Sequence, residues 1–164
     1  MKRLMMILTV MFVLVPASLW AQDAAPAEVF GGFSVYTVSD SGLRTTPVGW
    51  QASVAGNVTP MFSLVGDFAG QYKDGGSVYQ YLGGGRVTER MEKASVFGHA
   101  LFGVSRSGGT NAFTMAYGGG VDVNATDRVG IRVIQFDWLP VHPEGVWVNN
   151  SLRFGFGIVY KFGS

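Results

Sequence analysis

The 164-residue chain closes on Ser151–Ser164, SLRFGFGIVYKFGS. Leu152, Phe154, Phe156, Ile158, Tyr160 and Phe162 take every second position, with Ser151, Arg153, Gly155, Gly157, Val159 and Lys161 between them. A period of two is the mark of an extended strand whose two faces meet different surroundings. One face here is apolar and aromatic; the other carries glycines and two cations. The composition extends that pattern to the whole chain. Hydrophobic residues make up 48%, charged residues only 14%, and there are 24 glycines. Beyond the N-terminal region, however, no apolar run reaches the roughly 18 residues of a membrane helix. The hydrophobicity is spread by alternation, which predicts strands.

The first residues form a separate segment. Lys2 and Arg3 precede an apolar run from Leu4 to Val15, followed by the small residues around Pro16–Ala21. That layout is a secretory signal peptide over residues 1–21, with cleavage expected after Ala21. Residues 22–27 read as a flexible lead and residues 28–164 as a single domain. With no cysteine, neither a disulfide, a thiol nucleophile nor a cysteine metal site is available. A formal charge of +1 provides no basic excess for nucleic acid.

Eight strands are predicted, at 28–38, 49–58, 61–72, 77–90, 94–106, 111–123, 128–139 and 147–162. The breaks carry turn residues such as Lys73-Asp74-Gly75-Gly76 and Ser107-Gly108-Gly109. Hairpin-length connections make the order up-and-down and antiparallel. Strands of this length suit a tilted bilayer crossing of roughly 9 to 11 residues better than the 5 or 6 usual in globular sheets.

The faces separate in the same way along the chain. Phe62, Leu64 and Phe68 oppose Ser63, Asp67 and Gln71; Tyr79, Tyr81 and Val87 oppose Gln80, Arg86, Thr88 and Arg90. In the fifth predicted strand Val96, Ala100, Phe102 and Val104 fall on the apolar face and His99 and Ser105 on the other. The strand at 128–139 breaks the alternation, because Gln135 and Asp137 share parity with the apolar Ile131 and Val133. A β-bulge near Ile134, or emergence from the bilayer, would account for this. In a soluble barrel the small, glycine-rich face would be outside, where its glycines only weaken the strands. In an eight-stranded membrane barrel it faces a narrow interior and the large face meets lipid. The second arrangement accounts for both faces, so the fold expected is an all-β, eight-stranded antiparallel up-and-down transmembrane β-barrel. A one-residue slip of the last strand would turn Arg153 and Lys161 to lipid, at roughly 2–4 kcal/mol each near the midplane. With the N-terminus on the inner side, Trp50, Trp138 and Trp147 fall at the outer end of the strands and Phe62 at the inner end, as aromatic girdles would.

The segments EVFGGFSVY, GWQASVAGNV, AYGGGVDVNATDRVGIRVIQFDW and RFGFGIVYKF together resemble the small eight-stranded outer-membrane barrels of the OmpA/OmpX type. The resemblance spans nearly all of the chain after the signal peptide. It implies residence in the bacterial outer membrane, in contact with its lipid, and insertion by the barrel-assembly machinery. Tyr160 and Phe162 match the closing aromatic signal of that family, although Gly163-Ser164 follow. It also implies a lumenal charge network, to which Glu28, Asp67, Arg86, Asp122, Arg132 and Arg153 are assigned. A plugged, non-enzymatic barrel with a structural or surface-interaction role is expected, its extracellular partner unspecified. The alternatives are a soluble, lipocalin-like barrel for an apolar ligand, a narrow pore, and a lipid-modifying barrel enzyme built on His99 with Ser105 or His142 with Glu144. Gly83-Gly84-Gly85 and Gly118-Gly119-Gly120 are not followed by helices and do not read as phosphate loops, and no other cofactor motif is present. Leu43, Arg44, His142 and Glu144 are the loop side chains expected to meet a partner.

Overall fold

The computed structural model describes residues 25–40, 43–143 and 145–163; the expected signal peptide, residues 22–24 and Glu144 lie outside these. The described residues form ten strands and no helix: β1 (Ala27–Asp40), β2 (Leu43–Thr45), β3 (Val48–Asn57), β4 (Phe62–Lys73), β5 (Gly76–Arg90), β6 (Ala94–Ser107), β7 (Thr110–Asn124), β8 (Val129–Trp138), β9 (Val141–His142) and β10 (Ser151–Phe162). Eight of them are long. These run in the order β10-β8-β7-β6-β5-β4-β3-β1, every neighbour antiparallel, and β10 pairs with β1 to close the sheet. The fold is an eight-stranded antiparallel up-and-down transmembrane β-barrel. Closure runs from Ala27↔Phe162 to Val38↔Ser151, so neither edge is left with the unpaired backbone groups that lipid could not satisfy.

Short β2 folds back on the end of β1, and β9 adds to β7 at Phe113 and Thr114. The connection before the last strand is longer than the sequence suggests, because β10 starts at Ser151 rather than Trp147. Residues 140–143 and 145–150 instead form a small flap, closed by the Val141↔Val148 bridge. At the other end β1 already begins at Ala27, and the backbone N–H of Asn57 donates to Pro26 O at 2.9 Å.

The irregular stretch of β8 is a β-bulge. Against β7, Val121 pairs with Ile134 and Asp122 with Arg132, leaving Val133 as an extra residue. Val133 and Ile134 therefore both face outward, and beyond them parity is reversed: Gln135 and Asp137 are buried while Phe136 and Trp138 are exposed. The bulge carries two polar side chains inward that strict alternation would have placed in lipid.

The outer wall is continuous and apolar. Leu64, Val87, Val133, Phe156 and Ile158 are all more than half exposed, an arrangement that is untenable in water over so large an area. The interior is not uniformly small. Phe30, Tyr36, Phe97, Leu82, Leu101 and Leu139 are buried there beside the polar residues. Glycines on the inner face make the room. A Cβ on Gly32 would come within 2.8 Å of the Phe30 ring, one on Gly120 within 2.8 Å of the Phe97 ring, and one on Gly155 within 2.6 Å of Gln51 Oε1.

Candidate functional site

The chemically active side chains of the barrel meet inside it. Glu28, Asp67, Arg86, Asp122, Arg132 and Arg153 are all buried, and the strand register delivers them to two clusters.

The larger cluster centres on Arg153, which has 0% of its surface exposed. Its Nε and Nη2 donate to Asp137 Oδ2 at 2.9 and 2.7 Å. Its Nη1 reaches Asp67 Oδ1 at 2.8 Å and Gln80 Oε1 at 3.0 Å. One guanidinium on β10 thereby ties β4, β5 and β8 together across the bore. Asp67 is further held by Gln51 Nε2 at 2.7 Å, and Asp137 by Gln135 Nε2 at 2.9 Å. Gln135 also accepts from Arg132 Nη1 at 2.8 Å. Arg132 in turn makes a two-pronged contact with Asp122, Nε to Oδ1 at 2.8 Å and Nη2 to Oδ2 at 3.0 Å. Its guanidinium lies 4.3 Å from the ring centres of both Phe30 and Phe97, so aromatic faces cover what the carboxylate does not. Both Arg–Asp contacts use the planar fork that a lysine could not supply.

The smaller cluster sits near the mouth that holds the chain termini. Glu28 is paired with Arg86 and, at 2.9 Å, with Arg90, whose side chain is 21% exposed. Four carboxylates (Glu28, Asp67, Asp122, Asp137) thus face four guanidiniums (Arg86, Arg90, Arg132, Arg153). Buried charge requires such matching, since a lone ion in a low-dielectric interior is costly.

Sequence reasoning did not assign Asp137, Gln135 or Arg90 to this network. The signal for the first two was the parity break in β8. His99 is also inside, and its Nε2 lies 2.8 Å from Asp137 Oδ1 while its ring stacks on Phe97 at 5.8 Å. It is thereby engaged by a carboxylate that already serves Arg153. Among the described residues no group of three or more His, Asp or Glu is arranged to hold a metal ion.

The expected girdle residues are all on the outer wall. Trp50 donates to the Tyr72 hydroxyl at 3.3 Å, and Trp138 donates to Asn149 O at 2.7 Å. Trp147 lies in the flap before β10, against Phe113 and His142. These three tryptophans mark the end bearing the β8–β10 flap. Phe62, Tyr160 and Phe162 lie at the end with the termini, where Tyr160 and Phe162 pack edge to face at 4.9 Å. Leu43 and Arg44 belong to β2, but their side chains and Glu144 lie outside the described residues.

Closure, strand number and an exposed apolar wall are the features that solved structures can be matched against. Neisserial surface protein A covers 86% of this chain and 100% of its own, with a TM-score of 0.72 at 14% identity. Ail, the attachment invasion locus protein of Yersinia pestis, covers 85% and 99%, with a TM-score of 0.59 at 16% identity. The N-terminal β-barrel domain of Pseudomonas aeruginosa OprF covers 84% and 98%, with a TM-score of 0.56 at 9% identity. The chain has the fold of the small eight-stranded outer-membrane barrels. Each of these barrels is matched over almost its whole length, so the likeness is to a complete unit. No family model matches the chain, and no curated protein matches it.

Proposed function

We propose that the protein is an outer-membrane barrel with a structural or surface-interaction role, its lumen closed by its own side chains. The observation that carries this reading is the pairing of an exposed apolar wall with a charge-balanced, packed interior. In a lipocalin-like soluble barrel the interior would be the apolar, ligand-sized compartment. Here Arg153, Asp137, Gln80 and Thr114 have 0% exposure, and the bore is crossed by ion pairs. Eight strands enclose room for side chains or one small ligand but not for an aqueous channel, so conduction is not expected. His99 is bound to Asp137, which suits a place in the network better than the activation of Ser105. The role is accordingly non-enzymatic.

Export follows from residues 1–21 acting as a cleaved signal peptide. Tyr160 and Phe162 lie on β10, which closes the barrel on β1, and mark it as the strand read by the barrel-assembly machinery. Trp50, Trp138 and Trp147 anchor the outer interface and Phe62 the inner one. The surface-interaction part of the role draws support from the fold's other bearers: one is named a surface protein, and Ail has been solved in complex with the heparin analogue sucrose octasulfate. Cell fractionation tests the reading. The chain is expected in the outer-membrane pellet, in its processed form; recovery in the periplasmic supernatant would favour the lipocalin-like alternative. Planar-bilayer recording tests the closed lumen, with no discrete conductance expected from the refolded barrel.

A further inference from the structure

One row of the sheet carries polar chemistry on the face turned to lipid. Trp50, Gly70, Tyr79, Arg106 and Asn111 are successive register partners across β3, β4, β5, β6 and β7. All have the outward parity of their strands, at the end marked by the girdle tryptophans. Gly70 makes the room: a Cβ there would come within 2.8 Å of Trp50 Nε1 and 3.1 Å of the Tyr72 hydroxyl. Its bare backbone lets the indole lie across β4 and donate to Tyr72. The Tyr72 and Tyr79 rings meet edge to face at 5.9 Å. Their hydroxyls are hydrogen-bonded to each other, and that of Tyr79 also to Ser77. Ser77, Tyr79, Tyr72 and Trp50 thus form one line, four donor groups joined by three bonds. Whichever way the bonds point, one proton of the line is left for an acceptor outside it. Arg106 stands next to this line. Its side chain is exposed, and its guanidinium has no hydrogen-bond or ion-pair partner among the described residues. An unmatched guanidinium and a spare proton on a lipid-facing wall both require oxygen acceptors, and hydrocarbon offers none.

We propose that this face binds the phosphorylated sugar headgroup of an outer-leaflet glycolipid, with a phosphate on Arg106 and a sugar against Trp50 and Tyr72. The proposal rests on the membrane reading above. Arg106 lies one register pair short of the β6–β7 turn, at the level where headgroups replace acyl chains. Phosphate is the headgroup anion that a guanidinium fork holds best. The sugar follows from what surrounds the cation. Trp50 and Tyr72, each 44% exposed, present ring faces and a hydroxyl rather than further positive charge. The phosphate of a plain phospholipid would use Arg106 and leave that shelf unused.

The experiment is native mass spectrometry of the refolded full-length mature barrel, with lipid A, dephosphorylated lipid A and phosphatidylglycerol offered separately at equal concentration. Folding is scored on the same sample by heat-modifiable gel mobility. One lipid A is expected to stay bound, at severalfold higher occupancy than either other lipid. Arg106→Gln should lower that occupancy about tenfold, the loss of one charge-assisted contact, with mobility unchanged. Tyr72→Phe, which keeps the ring and removes the hydroxyl, should lower it less. Lys93→Gln, in the turn between β5 and β6 at the opposite end, should leave it unchanged. Occupancy indifferent to Arg106→Gln, or equally reduced by Lys93→Gln, would overturn the site. Equal uptake of phosphatidylglycerol would overturn the glycolipid as its occupant, and equal uptake of dephosphorylated lipid A would overturn the phosphate contact. A wild-type chain that gives no heat-modifiable band would overturn the membrane reading itself, and this proposal with it.

Discussion

The two faces of β10 are made from alternate residues of one strand and obey different rules. On the inner face Arg153 has no exposed surface and contacts Asp67, Gln80 and Asp137, each at a defined atom. On the outer face Ile158, five residues along, is 60% exposed and needs only to be apolar. The inner face is specified by partner identity and geometry, the outer face by polarity alone. Substitutions should therefore divide by face rather than by residue size, and that division can be attacked directly.

The largest loss is expected for Arg153→Met. It removes the one cation paired with Asp67 among the described residues and leaves Asp137 only the His99 ring, and removing one member of a buried pair costs about 3–5 kcal/mol. Urea unfolding of the refolded barrel in vesicles measures it, and Asp137→Asn added to Arg153→Met should recover part of the loss. Next comes a charge on the other face: Ile158→Lys should cost roughly 2–4 kcal/mol if that position lies near the bilayer midplane. Glu28→Gln should cost less than Arg153→Met, about 1–3 kcal/mol, because the amide oxygen can still accept from buried Arg86 and water can serve the partly exposed Arg90. The smallest effect belongs to Phe136→Leu on the outer wall, within about 0.5 kcal/mol in the same titration. A Phe136→Leu loss as large as that of Arg153→Met would abolish the distinction between the faces.

How far the sequence discloses this molecule follows from the same contrast. Strand number, order and facing were legible because a period of two, sustained over strands of 10 to 15 residues, leaves little freedom in register. Local departures from that period were legible only as departures. In β8 the parity break was visible, but whether Asp137 entered the lumen or left the bilayer depended on the extra residue Val133, which no residue type announces. The large apolar residues within the lumen, Phe30 and Phe97, were hidden for a related reason. Gly32, two residues along β1, and Gly120, the register partner of Phe97 on β7, supply their space, but the contact of both rings with Arg132 exists only once the closed barrel brings β1, β6 and β8 together. The flap before β10 reads as strand because Trp147 and Val148 have strand-like chemistry, yet Val148 bridges to Val141 and Trp147 packs its ring on Phe113 and His142, and neither joins the ladder of the closing strand.

The central claim is that the apolar face meets lipid while the network holds the barrel closed from within. Gel mobility of the protein refolded into bilayers, with and without boiling in SDS, tests it most directly. A closed barrel held by matched buried charges should resist SDS and run as a compact, fast band that shifts to its full apparent mass only on boiling. One unshifted band before and after boiling, from protein that remains soluble without lipid, would contradict it.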